Sequence, residues 1–416
     1  MAAVPTAARP NGEPSRRPPA GAGRAWPAWA PWALVAGLVA VRVVAVVVLL
    51  ATGVADEHSV LGGDTRRYRE YFDTPGTPYR DFAVEYPPLT LGFTALVHRP
   101  SVWATIAVLA ATQLVLELVV AAVVARTWGR RAGLAYLVLG TPMAFFPFPY
   151  VRIDLLSVAL AVLGSALARR GRQIAGGATL AAAVFAKVWP VVLVPALLLR
   201  RQWRALGAWA AVAATGLVAW WAWAGADGVR QVATFRGAQG WQIESFPGVL
   251  VHMADPGSSR VEQGAWRTEV AVPGWSKVLM GVAVVAVAAA AWRLAARSTG
   301  HRRELAVDAY APLAAVVAMI VLAPILSPQY VLWLVPFAAI AAAAGDRTIG
   351  ALTLAVTALT TFVLASIHAQ TEGALWATVP IVVRNLLLVA LGGLALVRLR
   401  SGARARTRSG HAERFH

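Results

Sequence analysis

The chain has 416 residues, of which 58% are hydrophobic and only 14% charged, with a mean hydropathy of +0.61; apolar runs of about 20 residues recur from end to end, which excludes a soluble globular protein. The runs are continuous and rich in Ala and Leu rather than alternating, which excludes an outer-membrane β-barrel. The formal charge of +18 lies in arginine clusters beside the apolar runs, so it reports membrane orientation and not a nucleic-acid partner. With no cysteine, there is no disulfide framework, thiolate nucleophile or cysteine-based metal site. The expected class is an all-α polytopic membrane protein.

Residues 1–31 are rich in Pro, Ala, Gly and Arg and read as a disordered cytoplasmic tail. Residues 32–53 form the first span, too long for a cleaved signal segment and therefore a retained anchor. A first polar region over about residues 54–100 follows. It holds Asp56, Glu57, Asp64, Glu70, Asp73, Asp81 and Glu85 from a small total of acids. Within it, Asp64 precedes a short amphipathic helix whose Tyr68, Tyr71 and Phe72 share one face, as in a helix lying on a bilayer surface. Residues 89–97 are too short to cross and read as juxtamembrane or re-entrant.

Further spans are expected at 101–125, 132–148 and 153–168. The apolar stretch 173–199 is broken by Lys187 and Pro190 and reads as two short helices meeting near the outer face. A span at 205–225 leads to a second outer loop, about residues 226–273, and spans at 274–296, 308–323, 329–343, 349–367 and 375–397 complete a total of about twelve. Residues 398–416 form a basic tail. With this alternation, the arginines at 126–131, 169–172, 200–204, 297–303 and 398–414 all fall on one side, which the positive-inside rule makes cytoplasmic. Both termini are then cytoplasmic and both acidic loops face outward.

Candidate chemistry lies in those loops and in charges within the spans. Asp64 is either an N-cap for its helix or a general base beside the membrane. Asp81, Glu85 and Tyr86 precede Pro87 and Pro88 on extended chain; they are secondary candidates, or a solvated loop paired with Arg80. Arg152 and Asp154 stand at the mouth of one span, Lys187 at the break of the split pair, and Arg384 midway along the last helix. A charge at mid-bilayer costs roughly 2.5 to 3.5 kcal/mol and is retained for a site or a structural partner. Converging cations suit a lipid-linked phosphate leaving group; the competing readings are a local Arg152–Asp154 pair and buried structural pairs. In the second loop, Arg236, Gln239, Gln242 and Glu244 are interleaved with Trp241 and Phe246, a mixture that can hold a sugar by hydrogen bonds and stacking. Ser327, Gln329 and Tyr330 open a helix at the outer surface, with Trp333 read as an aromatic-belt anchor. No histidine spacing or nucleotide-binding, serine-hydrolase or zinc-protease motif occurs.

These stretches, namely Asp64 with Tyr68, PYRDFAVEYPP at 78–88, RIDLL at 152–156, AKVWPVVLVP at 186–195, RGAQGWQIES at 236–245 and SPQY at 327–330, resemble the bacterial GT-C glycosyltransferases of family 87, polyprenol-phosphate-mannose-dependent α-mannosyltransferases. The resemblance implies a GT-C fold in a bacterial plasma membrane, with a polyprenyl-phosphate sugar as donor substrate and a glycolipid or polysaccharide as acceptor. It implies Asp64 as catalytic base, inversion by single displacement, and no metal or other cofactor. Donor binding would draw on Arg152, Asp154, Lys187, Arg236, Gln239, Glu244, Gln329, Tyr330 and Arg384. A transporter or lipid-linked sugar flippase is the alternative from another class, although the sequence shows no internal repeat of the kind such folds carry; an envelope scaffold would need none of the buried cations.

Overall fold

The computed structural model describes residues 30–53, 62–234, 238–262 and 264–412. The expected N-terminal tail and the acids Asp56 and Glu57 lie outside the described residues. In chain order the helices are α1 (Ala30–Thr52), α2 (Gly63–Asp73), α3 (Pro88–Val97), α4 (Val102–Trp128), α5 (Arg130–Ala144), α6 (Asp154–Arg169), α7 (Gln173–Ala186), α8 (Pro195–Leu199) and α9 (Trp203–Ala233). The second loop carries β1 (Gly240–Gln242), α10 (Phe246–Ala254), β2 (Ser259–Glu262) and β3 (Ala265–Ala271). Then come α11 (Gly274–Arg297), α12 (Gly300–Leu305), α13 (Ala311–Val321), α14 (Val335–Ala343), α15 (Arg347–Ala365), α16 (Ile367–Thr371) and α17 (Leu375–Ala412).

Seven helical segments are long and apolar enough to cross a membrane. They are α1, α4, α9, α11, the continuous run Gly300–Val321, α15 and α17, and they make this a multi-pass membrane protein. The expected total of about twelve is not reached by length, because other apolar runs are cut short. Pro142 lies at the end of α5, and Pro147 opens a single 3-10 turn, Phe148–Val151, before α6. Lys187 adopts an extended conformation that ends α7, after which Trp189–Leu193 and α8 form the second half of the expected broken pair. Pro328–Trp333 is likewise a 3-10 segment leading into α14.

Two boundaries move. α9 runs past the expected end of its span to Ala233, kinked at Gly225, whose φ of 70° only glycine adopts readily. α17 continues beyond residue 397 into the expected basic tail. The helices meet through small residues, as association in lipid requires. A Cβ on Gly164 or Gly176 would collide with the facing helix of the α6–α7 pair, and one on Gly177 would lie 1.9 Å from the Ala205 carbonyl of α9.

The second loop also contains a small antiparallel sheet, order β1-β3-β2, that the reading of the sequence does not include. Its strands are only 3, 4 and 7 residues long, so the alternation that identifies strands has little room to appear. The sheet is fastened at three points. Glu262 accepts the backbone N–H groups of Gln239 and Gly240 at 2.9 and 3.0 Å, Arg267 donates to the Gly240 carbonyl at 2.9 Å, and the Gln242 N–H donates to the Pro324 carbonyl at 3.1 Å. At the β2–β3 turn, Gly264 has φ +73°, and a Cβ there would fall 1.4 Å from Arg67 Nη2. The hairpin tip therefore rests directly on the first outer loop.

A polar contact inside the apolar body went unforeseen. Arg42 of α1, fully buried, donates to Glu117 of α4 at 2.8 Å, to the Leu137 carbonyl at 2.8 Å and to the Leu38 carbonyl at 2.9 Å. Glu117 also accepts the Tyr150 hydroxyl at 2.7 Å. This joins α1 to α4, α5 and the turn before α6. Removing one partner strands a buried charge, which typically costs about 3 to 5 kcal/mol. Glu117→Ala should thus lower the thermal midpoint of the purified protein sharply, while the double replacement Arg42→Met with Glu117→Leu should recover most of the loss; equal melting of Glu117→Ala and wild type would show that the pair carries no stability.

Candidate active site

One cavity of about 330 Å³ gathers its polar and aromatic residues from four separate parts of the chain, with Val232 of α9 and Met319 of α13 adding apolar wall. The first outer loop supplies Asp64, Arg67, Glu85 and Tyr86, and the break after α7 supplies Lys187 and Trp189. The sheet supplies Gln242, Gly264 and Arg267. The 3-10 segment before α14 supplies Gln329, Tyr330 and Trp333. Apart from the sheet, the polar and aromatic contributors lie on the first-loop helix and the chain after it and at interruptions between helices, where the backbone turns and side chains converge.

The first outer loop is pinned from below. Tyr68 and Tyr71 of α2 are buried in a cluster with Tyr79, Tyr86, Leu91 and Ile153, and the Tyr68 and Tyr86 rings meet edge to face at 5.9 Å. The apolar face expected to lie on lipid thus packs against the protein, with only Phe72 partly exposed against His98. Burial drives the Tyr68 and Tyr86 hydroxyls well above their ordinary range, so both are neutral hydrogen-bonding groups.

Asp64 is not an N-cap. Gly62 holds that position, and no side chain caps the helix. Instead Asp64 Oδ2 lies 2.9 Å from Arg152 Nη1, and its Oδ1 lies 3.5 Å from Arg67 Nη1. Arg67 in turn donates to Glu85 at 2.6 Å. Burial alone would lower the Arg67 pKa, but Asp64 and Glu85 hold it above its ordinary value. Arg152 belongs to Asp64 and not to its sequence neighbour Asp154, so the expected local pair does not form. Asp154 lies fully buried, where one oxygen accepts both Lys187 Nζ at 2.6 Å and the Trp333 indole N–H at 2.8 Å.

Lys187 is enclosed by rings. Its ammonium lies 5.6 Å from the Tyr86 centroid, 5.0 Å from Tyr330 and 5.3 Å from Trp333, distances at which the ring faces attract a cation. Trp333 stacks between Tyr330 at 4.2 Å and Trp189 at 5.5 Å. The belt role expected for Trp333 is therefore replaced by one inside the site, where it is buried and bonded. Gln329, also buried, accepts the Ser327 hydroxyl at 2.8 Å.

Not all expected residues converge. Arg384 is fully buried against Glu244, at 3.2 Å to its carboxylate and 2.8 Å to its carbonyl, with Asn385 alongside. This is the buried structural pair. Burial raises the Glu244 pKa, against the pull of Arg384 and of Arg152. Arg152, Asp154, Glu244 and Arg384 thus stand behind the described lining rather than on it. Asp81 closes a turn by accepting the Thr77 N–H at 2.6 Å, and Arg80 donates to the Ala222 carbonyl instead of to Asp81. Gln239 is exposed and serves the sheet through its backbone. Arg236 lies outside the described residues. Gln242, expected among the sugar-holding groups of the second loop, lines the cavity; Arg67, Arg267 and Trp189 line it without having been singled out, and the proximity of Trp189 to Lys187 in AKVWP was the one legible signal. Among the described residues no group of three or more His, Asp or Glu gathers as a metal site would require.

The sequence profile of glycosyltransferase family 87 matches residues 84–324, more than half of the chain. The match takes in Glu85, Tyr86, Lys187 and Arg267 and begins after Asp64. No curated protein matches the chain significantly.

The sheet that walls the cavity depends on an acid. The Glu262 carboxyl is partly buried, which opposes ionisation, but the Gly240 and Gln239 N–H groups bring its pKa below the usual glutamate range. A lowered folded pKa contributes stability above the unfolded value and loses it as pH falls through the folded one. Hydrogen exchange at residues 240–242, corrected for intrinsic rates, should accelerate across that acidic window in wild type. Glu262→Gln should exchange faster already at neutral pH and show no acid step; identical profiles would remove Glu262 from the account.

Proposed function

The chain belongs to glycosyltransferase family 87, and from that premise we propose that it moves a hexose, by resemblance mannose, from a polyprenyl-phosphate donor to an envelope glycolipid or polysaccharide on the outer face of the bacterial plasma membrane. The observation that carries this reading is a held carboxylate, Asp64, sharing one cavity with a caged ammonium, Lys187. Family membership favours transfer over transport. In this reading both termini are cytoplasmic, and the short helices cross in series with the seven long ones to give the GT-C-type arrangement of about twelve crossings.

The reaction assigns each group a task. An acceptor hydroxyl attacks the anomeric carbon as the bond from that carbon to the phosphate oxygen breaks, and the electron pair leaves with the polyprenyl phosphate. The hydroxyl proton passes to Asp64. An ionised carboxylate accepts hydrogen bonds, and the contacts of Asp64 to Arg152 and Arg67 orient it at the cavity wall. Such a base contributes typically about 10²- to 10⁴-fold. Lys187 has three N–H donors; one meets Asp154, and the remaining donors suit the phosphate, where charge grows as the bond breaks. Tyr330 and Tyr86 offer faces for the sugar ring, and Gln329 and Gln242 offer amides for its hydroxyls. The donor's one-step displacement inverts its anomeric centre.

Purified protein in lipid nanodiscs, given radiolabelled polyprenyl-phosphate-mannose and membrane lipids, should form labelled glycolipid or glycan. Asp64→Asn should lose about 10²-fold or more in rate while eluting and melting as a folded protein, and Asp81→Asn should transfer at the wild-type rate. If folded Asp64→Asn transfers normally, Asp64 only braces Arg152 and Arg67, and Glu85 becomes the base.

A further inference from the structure

The turn that leads into Glu85 and Tyr86 is strained. Tyr79 has a φ of 70°, one of only two positive values among the described non-glycine residues, in a region where an L side chain crowds its own backbone and glycine is the usual occupant. A bulky aromatic residue there persists only where its surroundings hold it, and such outliers gather at functional sites.

Two sets of contacts hold this one. Within the loop, the Tyr79 N–H donates to the Phe82 carbonyl at 3.0 Å, and the Tyr79 hydroxyl donates to the Tyr86 carbonyl at 2.6 Å. Burial drives that hydroxyl above its ordinary range, so it keeps the proton it donates. From the other side comes α9. Past the kink at Gly225, Gln231 donates to the Tyr79 carbonyl at 2.8 Å and accepts the Val84 N–H at 3.0 Å. The Tyr79 ring meets Trp220 and Trp223 edge to face at 5.6 and 5.3 Å, and a Cβ on Gly228 would lie 3.0 Å from the Tyr79 Cβ. One amide thus bridges both ends of the turn, and one hydroxyl carries the constraint on to residue 86. Residues 83–87 belong to no helix or strand, so these bonds take the place of a ladder in setting their course. The segment they fix is cavity wall: Glu85, Tyr86 and Pro87 line the site, as does Val232 beside Gln231, and the Tyr86 ring lies 5.6 Å from the Lys187 ammonium.

Resting on the sugar-binding role proposed above for Tyr86, we propose that Tyr79 is a positioning residue of the site: its hydroxyl, with Gln231 of α9 gripping the same turn, sets the Tyr86 face against which the sugar lies. The strained angle follows from that task, since it turns the ring toward α9 while the hydroxyl reaches the Tyr86 carbonyl.

The test measures binding of two probes, polyprenyl-phosphate-mannose and sugar-free polyprenyl phosphate, to full-length protein in nanodiscs without acceptor. Tyr79→Phe keeps the ring and removes the hydroxyl; Gln231→Leu keeps the volume and removes both amide bonds. Each should weaken the sugar-bearing probe by about three- to tenfold while leaving the sugar-free one within about twofold, because the lost bond acts through Tyr86. A purely structural role would lower binding capacity for both probes and change neither affinity. Hydrogen exchange at residues 80–86 should accelerate in both variants while residues 240–242 keep their wild-type rates. The inference is overturned if folded Tyr79→Phe binds the sugar-bearing probe as wild type does, or if exchange at 80–86 is unchanged. If wild type binds the two probes equally, the sugar role of Tyr86 fails with the donor reading; accelerated exchange in the variants would then still support the clamp on the turn.

Discussion

A charge placed in a medium that cannot solvate it must be met by another, and this constraint organises the molecule. Arg42, Arg152, Lys187 and Arg384 lie within or at the edge of the apolar body, and each has a carboxylate at contact distance: Glu117 at 2.8 Å, Asp64 at 2.9 Å, Asp154 at 2.6 Å and Glu244 at 3.2 Å. The chain has only 20 acids, and these four are among the most deeply placed. Every pair joins residues far apart in sequence, from 33 positions for Lys187 and Asp154 to 140 for Arg384 and Glu244. Because removing one partner of such a pair costs far more than the pair itself contributes, the pairs fix which helices and loops must lie together.

The pairs also divide by role. Arg42 with Glu117 sits deep among α1, α4 and α5, and Arg384 with Glu244 ties the second loop to the last long helix. These two hold the scaffold. Arg152 with Asp64 and Lys187 with Asp154 lie at the mouth of α6, each with one member lining the cavity and the other behind it, so the same device that anchors helices elsewhere orients reactive groups here. The first loop reaches that mouth because Tyr68 and Tyr71 pack it down, and the second loop because Gly264 lets the hairpin tip lie on Arg67. A loop resting on lipid would leave both carboxylate and cation in water, where their interaction is weak.

Hydropathy made the membrane class and most span positions legible, and the break at Lys187 was readable because a charge and a proline interrupt one apolar run. Intramembrane charges were readable as a class but not as pairs. A local pair of Arg152 with Asp154, two residues away, was one of two readings open to the sequence, whereas the 3-10 turn before α6 leaves the two side chains with different partners. Arg42 and Glu117 escaped notice because each is a single charge in a long apolar helix, and only the fold brings them together. Trp333 resembled a belt residue since sequence cannot tell an aromatic facing headgroups from one facing a cavity at the same depth. The sheet, with strands of a few residues, carries its order in tertiary contacts. Arg267, one basic residue in an arginine-rich chain, acquires meaning only from the cavity wall that the sheet brings it to.

Charge balance links the site to the proposed chemistry. Among the described lining residues, two carboxylates, Asp64 and Glu85, face three cations, Arg67, Lys187 and Arg267, leaving one net positive charge. A sugar phosphodiester carries one negative charge and would neutralise it. As transfer proceeds, the leaving phosphate gains a second negative charge while Asp64, taking the hydroxyl proton, loses its own, so the surroundings become more positive by the same amount. Neither step requires charge to be drawn from the bilayer or water to flood the cavity. In a low-dielectric site, where an uncompensated charge is costly, that matching is a reason for the base and the phosphate cations to share one enclosure, and for the structural pairs behind it to be closed among themselves.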